Sequence, residues 1–163
     1  MITLSNGAKN AEWSYNLPIM LTESDVISAV CDFIEGKGFR VQQRLAETEH
    51  GEDILALAPD GIQRVTIEAK GETSSKPTTS RYGNEFNSAQ VRNHVSRAFY
   101  SAAQHFSSGA LTGIALPKNR WHLKCVERIL PALRELGIEV FWVLPDRSVE
   151  ILSIWSAWGR PRR

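Results

Sequence analysis

Cysteine is scarce: the 163 residues hold two, Cys31 and Cys125, far apart. That excludes a disulfide-stapled framework and reads most simply as reduced thiols in a cytoplasmic protein. Long apolar runs are missing as well, and none approaches the roughly 18 residues a membrane helix needs. Met1-Ile2-Thr3-Leu4-Ser5 has no basic segment leading into an apolar stretch, so no secretory signal is expected. Internal repeats and low-complexity tracts are absent. Paired metal-ligand spacings are absent too: His122 and Cys125 have H-x-x-C spacing but no second pair, which argues against a zinc site. Cys31 sits beside an apolar stripe and reads as core rather than nucleophile. Ser74, Ser75 and Ser80 lie near no evident base. What is present is ordinary globular material, 42% hydrophobic and 23% charged, which excludes a disordered or fibrous chain. The length suits one domain with a core large enough to need no staples.

The net charge of +1 is unevenly spread. Residues 1–60 carry four Lys and Arg against ten acids, and residues 61–163 carry fifteen against eight. A basic half, ending in Gly159-Arg160-Pro161-Arg162-Arg163, points to a polyanion-facing side. Residues 1–21 read as an N-terminal arm, with Trp13, Tyr15, Leu17, Ile19 and Leu21 alternating; 22–154 read as a single domain and 155–163 as a basic tail.

Thr22-Glu23-Ser24-Asp25 has the hydroxyl cap and early acids of a helix start. Val26, Ile27, Val30, Phe33 and Ile34 then share one stripe, and Gly36 and Gly38 end it. Three strand-like runs follow, at 39–45, 52–58 and 62–70, the last two joined by Pro59-Asp60-Gly61, a strong hairpin signal. The Gly-, Ser-, Thr- and Pro-rich stretch 71–85 reads as a long mobile loop. A helix is expected from Ser88 to Phe106, with Val91, Val95, Ala98, Phe99, Ala102 and Phe106 inward. Strand 111–116 and helix 119–136 come next, the helix broken or kinked at Pro131. Strands at 138–144 and 149–154 complete the chain. Hairpins followed by alternating helices and strands predict a mixed sheet with helices on its faces.

The hairpin carries the chemistry. With Asp60-Gly61 as a two-residue turn, paired positions put Asp53 opposite Glu68, Cβ atoms about 5 Å apart on one face. Lys70 projects from the same face two residues on. Facing carboxylates repel, and a hard divalent cation removes that penalty. A neighbouring ammonium can hold a water or stabilise developing negative charge. This holds only without a β-bulge between the two strands.

Asp53, fourteen intervening residues and then Glu68-Ala69-Lys70 resemble the PD-(D/E)XK nuclease superfamily. The order αβββαβ over residues 22–116 matches that superfamily's core, while Glu52 stands where the name-giving proline would be. The resemblance implies a restriction-endonuclease-like fold and a Mg²⁺-dependent nuclease, with Mn²⁺ as substitute. It further implies that Asp53, Glu68 and the Ala69 carbonyl bind the metal and that Lys70 is the catalytic lysine. The superfamily often adds an acid from the first helix. Glu23, Asp25, Asp32 and Glu35 compete for that place, and Asp25 lies nearest the expected position. A glutamine on the following helix recurs in several branches, and Gln90 fits it. Gln90, His94, Arg97 and Ser101 share one polar stripe of that helix. Lys76, Arg81, Arg92, His94 and Arg97 surround the site in sequence and are expected to contact nucleic acid.

The expected activity is hydrolysis of DNA phosphodiester bonds, as an endonuclease of restriction or repair type, with no membrane partner. Cutting both strands requires two sites, which favours a homodimer or a separate specificity chain. The competing expectation is a non-catalytic nucleic-acid-binding or protein-interaction module on the same fold.

Overall fold

The computed structural model describes residues 20–45 and 51–155. The alternating segment Trp13–Ile19 and the basic residues of the tail lie outside them. Nine elements follow one another: α1 (Glu23–Glu35), β1 (Arg40–Arg44), β2 (Ile54–Leu57), β3 (Arg64–Ala69), α2 (Ser88–Phe106), β4 (Leu111–Pro117), α3 (Arg120–Glu135), β5 (Glu139–Val143) and β6 (Val149–Ile151). The expected mixed α/β architecture is there. Six strands form one sheet in sequence order; β1-β2-β3 is an antiparallel meander, β3-β4-β5 are parallel, and β6 turns back antiparallel.

Side-chain alternation sorts the core into two faces. Ile54, Ala56, Val65, Ile67, Ala69, Ala115, Phe141 and Val143 pack with α1. Ile114, Leu116, Val140 and Trp142 pack with α2 and α3. The two crossovers step in the same direction across the sheet, so their helices share a face, as right-handed connections require. Both faces of β4 and β5 are covered, which explains their nearly continuous apolar sequences.

The β2–β3 register is the one the sequence arithmetic predicts: Ile54 faces Ile67 and Leu57 faces Arg64, without a bulge. The turn is wider than expected. Ala58 N–H donates to the Gln63 carbonyl, and Asp60 Oδ1 accepts from the Ile62 and Gln63 amides, so residues 59–62 form the connection. A four-residue turn centred on the same bond keeps the pairing. The one irregularity in these hairpins lies between β1 and β2, at Val41/Gln43.

Two other expectations are corrected, at Pro131 and Phe106, and loop 71–85 gains a detail the sequence did not show. Pro131 lies inside α3 without ending it, on the exposed side of the helix, where Glu127 is exposed as well. Loop 71–85 has an anchored neck: Phe86 N–H donates to the Glu72 carbonyl at 2.8 Å, Thr73 Oγ1 to the Arg81 carbonyl, and Glu72, Thr73 and Phe86 are buried. It is a self-packed Ω-loop with an exposed tip. Phe106, the last residue of α2, is exposed rather than inward. The core also exceeds the expected limits: Leu21 is buried, as is Trp155, whose Nε1 donates to the Thr112 carbonyl. Fully buried Glu139 accepts from the Ile154 and Trp155 amides and fastens that segment down.

Candidate active site

The site lies in the half-buried crevice at the carboxyl end of β3, between its antiparallel neighbour β2 and its parallel neighbour β4. Asp53 directly precedes β2. Its Oδ2 accepts the Ala69 amide at 2.7 Å, taking the next β3 donor on the β2 side after the ladder ends. That bond fixes the carboxylate beside Glu68, as the register predicts. Lys70 keeps its own amide on the Ala115 carbonyl at 3.0 Å, and its side chain turns back over the strand end. Nζ donates to Glu68 Oε1 at 2.7 Å and to the Ala69 carbonyl at 2.5 Å, and lies 3.5 Å from Asp53 Oδ2.

The first-helix acid at this cluster is Glu23, whose Oε2 is 3.5 Å from Lys70 Nζ. Asp25, the expected residue, is engaged elsewhere. Its Oδ2 accepts the Thr22 amide and hydroxyl in a capping box, and its Oδ1 accepts from Arg147 Nη2 at 2.6 Å. The spacing Thr-x-x-Asp was the available signal, since it commits the second residue to the cap. Gly71 explains how α1 comes so close. A Cβ there would stand 2.5 Å from the Glu23 amide nitrogen and 2.8 Å from the Thr22 carbonyl carbon, so only glycine lets the chain pass.

Burial chiefly raises the Asp53 pKa, outweighing the ammonium beside it, and Glu68 pushes the same way. Burial pulls the Lys70 ammonium down, but Asp53, Glu23 and Glu68 together outweigh it and leave its pKa raised. Lys70 is therefore a cation held by carboxylates at neutral pH.

From α2, Ser101 Oγ donates to Glu68 Oε2 at 3.0 Å, leaving Oε1 for the ammonium. Ser101 shares a stripe with His94 and Arg97, and that periodicity was its signal. His94 is half-buried and edge-on to Phe86 at 4.8 Å, with Nδ1 unpartnered. Burial first, then Lys70, Arg97 and Arg81, lower its pKa, so a neutral imidazole stands among three cations. Glu52, in the proline position, faces His105 Nε2 at 3.5 Å.

Besides Asp25, Gln90, Arg92 and Lys76 are not brought to the cluster. Gln90 is the N3 residue of α2, and its Oε1 accepts the Asn87 amide in a second capping box. Arg92 is two positions from His94, roughly 200° around the helix; it lines a cleft with Trp121, Cys125 and Arg128 between α2 and α3. Lys76 is exposed on the Ω-loop. Cys31 is buried, with its thiol pushed up to about 11 mainly by burial, as befits an inert core residue.

A buried polar relay lies beside the site. Glu72 Oε1 accepts the Leu21 amide at 2.9 Å, and its Oε2 accepts Asn119 Nδ2 at 2.6 Å. Asn119 Oδ1 caps α3 through the Trp121 and His122 amides and lies 2.9 Å from His122 Nδ1. An oxygen already accepting two amides must accept from the ring as well, so His122 carries its proton on Nδ1. Sequence reasoning missed this relay, because its bonded partners lie up to 51 positions apart.

Among the described residues no group of three or more His, Cys, Asp or Glu side chains could hold a metal ion. The donors that do fit one are two carboxylates and a main-chain carbonyl. The observation is that a cation, the Lys70 ammonium, already stands among them. Such a set suits an ion that keeps several waters, as Mg²⁺ does. No protein-family model matches the chain, and neither does any curated protein or solved structure. Among the described residues no helix is long and apolar enough to cross a membrane.

Proposed function

We propose that this chain is a divalent-metal-dependent nuclease hydrolysing DNA phosphodiester bonds, on a restriction-endonuclease-like version of the mixed sheet. The observation that carries the reading is the convergence of Asp53, Glu68, the Ala69 carbonyl and Lys70 at the end of β3. Facing carboxylates in a half-buried crevice are costly unless a cation belongs there. Asp53, Glu68 and the Ala69 carbonyl would hold Mg²⁺, or Mn²⁺ in its place. When bound, the ion supplies Lewis-acid polarisation of the phosphate and neutralises charge developing at phosphorus.

The chain's own groups do the rest. Ser101 fixes the rotamer of Glu68. Lys70 supplies a donor for an anionic phosphoryl oxygen or the attacking water. His94, kept neutral, can accept a proton at the flank of the crevice. Arg81 and Arg97, close enough to depress His94, hold backbone phosphates. A second copy of the chain, or a separate specificity chain, would supply the second cut of a duplex.

The test is cleavage of supercoiled, linear and single-stranded DNA with Mg²⁺, Mn²⁺ or EDTA. Asp53→Asn and Glu68→Gln should each abolish cleavage while leaving folding and most DNA affinity intact. A wild-type protein that binds DNA but cuts it with neither metal would instead be the binding module.

A further inference from the structure

A lysine at a strand end normally lays its stem on apolar surface and keeps its ammonium in water. Lys70 does the reverse: its side chain is 13% exposed and the ammonium is turned inward. Glu68 Oε1 at 2.7 Å and the Ala69 carbonyl at 2.5 Å accept from it, and Asp53 Oδ2 and Glu23 Oε2 lie 3.5 Å away. Four oxygens from three segments of chain surround one cation. Three are carboxylate oxygens, whose mutual repulsion requires a positive charge among them. Two of those carboxylates and the carbonyl are also the donors assigned above to a divalent ion. The same lone pairs cannot serve both cations, and an ammonium and a dication a few ångströms apart repel.

We propose that Lys70 is the resident cation of the metal-free site and sets its metal affinity by competition. A divalent ion takes Asp53, Glu68 and Ala69 only as the ammonium leaves them. This rests on the metal-site reading and adds a consequence to it. In the metal-free protein the ammonium is occupied by the chain's own oxygens and unavailable to a phosphate. Metal loading and release of the lysine are then one event, so the site acquires its mobile donor only when loaded. Ser101 suits this exchange, because it holds Glu68 by Oε2 and leaves Oε1 to pass from one cation to the other.

The test is calorimetric titration of Mn²⁺ into wild type and Lys70→Met, which keeps an apolar stem and removes the charge. The variant no longer gives up a charge-assisted hydrogen bond on metal entry, so it should bind Mn²⁺ on the order of tenfold tighter. Equal or weaker binding by the variant refutes the competition and leaves the metal site standing. No binding by either protein removes the metal reading and this proposal together. Should Lys70→Met fail to fold, acetylation of Lys70 in wild type decides the matter. Read by peptide mass spectrometry with an amine-reactive ester, labelling should rise several-fold on addition of saturating Mg²⁺, and unchanged labelling overturns the proposal.

Discussion

Acid should unfold this protein through His122 more than through any exposed histidine. The ring is fully buried, its Nδ1 is committed to Asn119 Oδ1, and Nε2 has no partner. A second proton could enter only at Nε2, which is buried with nothing to accept it. Burial above all, then repulsion from His94, pushes its pKa from 6.5 down to about 3. The folded value is lower, so below pH 6.5 the unfolded chain binds more protons. The stability is complete above about pH 6.5 and drains away as the pH falls towards 3, at about 1.4 kcal/mol per pH unit. Between about pH 6.5 and 4.5 the loss is roughly 2 kcal/mol, a large share of a typical domain's stability. His122→Phe keeps a flat ring and removes the titration. At neutral pH it should cost about 1 kcal/mol for the lost hydrogen bond, partly offset because the orphaned nitrogen goes too. The assay is urea unfolding of both proteins at the two pH values. His94 and Asp53 remain in both, so the difference of the differences isolates His122. If the two proteins lose stability in parallel, the reasoning about the buried ring is wrong.

Further outcomes follow from the site. Gly71→Ala must push back the Leu21–Glu23 backbone; it should cost about 1–3 kcal/mol in chemical denaturation. Ser101→Ala removes the donor to Glu68 Oε2; Mn²⁺ affinity should fall on the order of tenfold with an unchanged melting curve, and Ser101→Thr should restore it. Arg81→Glu and Arg97→Glu should each weaken DNA binding and reduce its salt slope by about one, whereas Arg92→Glu, on the far side of α2, should change it less; equal effects in a salt titration would contradict the placement of Arg92.

What the sequence made legible was periodic or local. Alternation and turn chemistry located the nine elements of the described residues to within a few residues. The Asp60-Gly61 centre fixed the β2–β3 register even though the turn proved wider, because pairing depends on the centre of a turn and not its width. Asp53, Glu68 and Lys70 could thus be brought together on paper. The misplacements arose where a local role captured a side chain. The superfamily resemblance points to Asp25 and Gln90 by their helix positions, yet each sits three residues after a cap and closes a capping box. Arg92 was grouped with His94 by closeness in sequence, which a helix turns into opposition. The buried relay through Glu72 and Asn119 had no sequence signature at all, since only the fold brings the two within reach.

That relay decides how the crevice can come apart. The Glu72 carboxylate joins the entry of α1 to the cap of α3, and its own amide and carbonyl bond to Leu21 and Phe86. The entry to the first helix, the neck of the Ω-loop and the first turn of α3 therefore share one fastening. Partial opening of one exposes buried polar groups in the other two, so the three belong to a single cooperative unit. Fraying at the tip of the loop stops at this fastening before it reaches Lys70. The crevice draws its persistence from the interior and not from the exposed loop beside it.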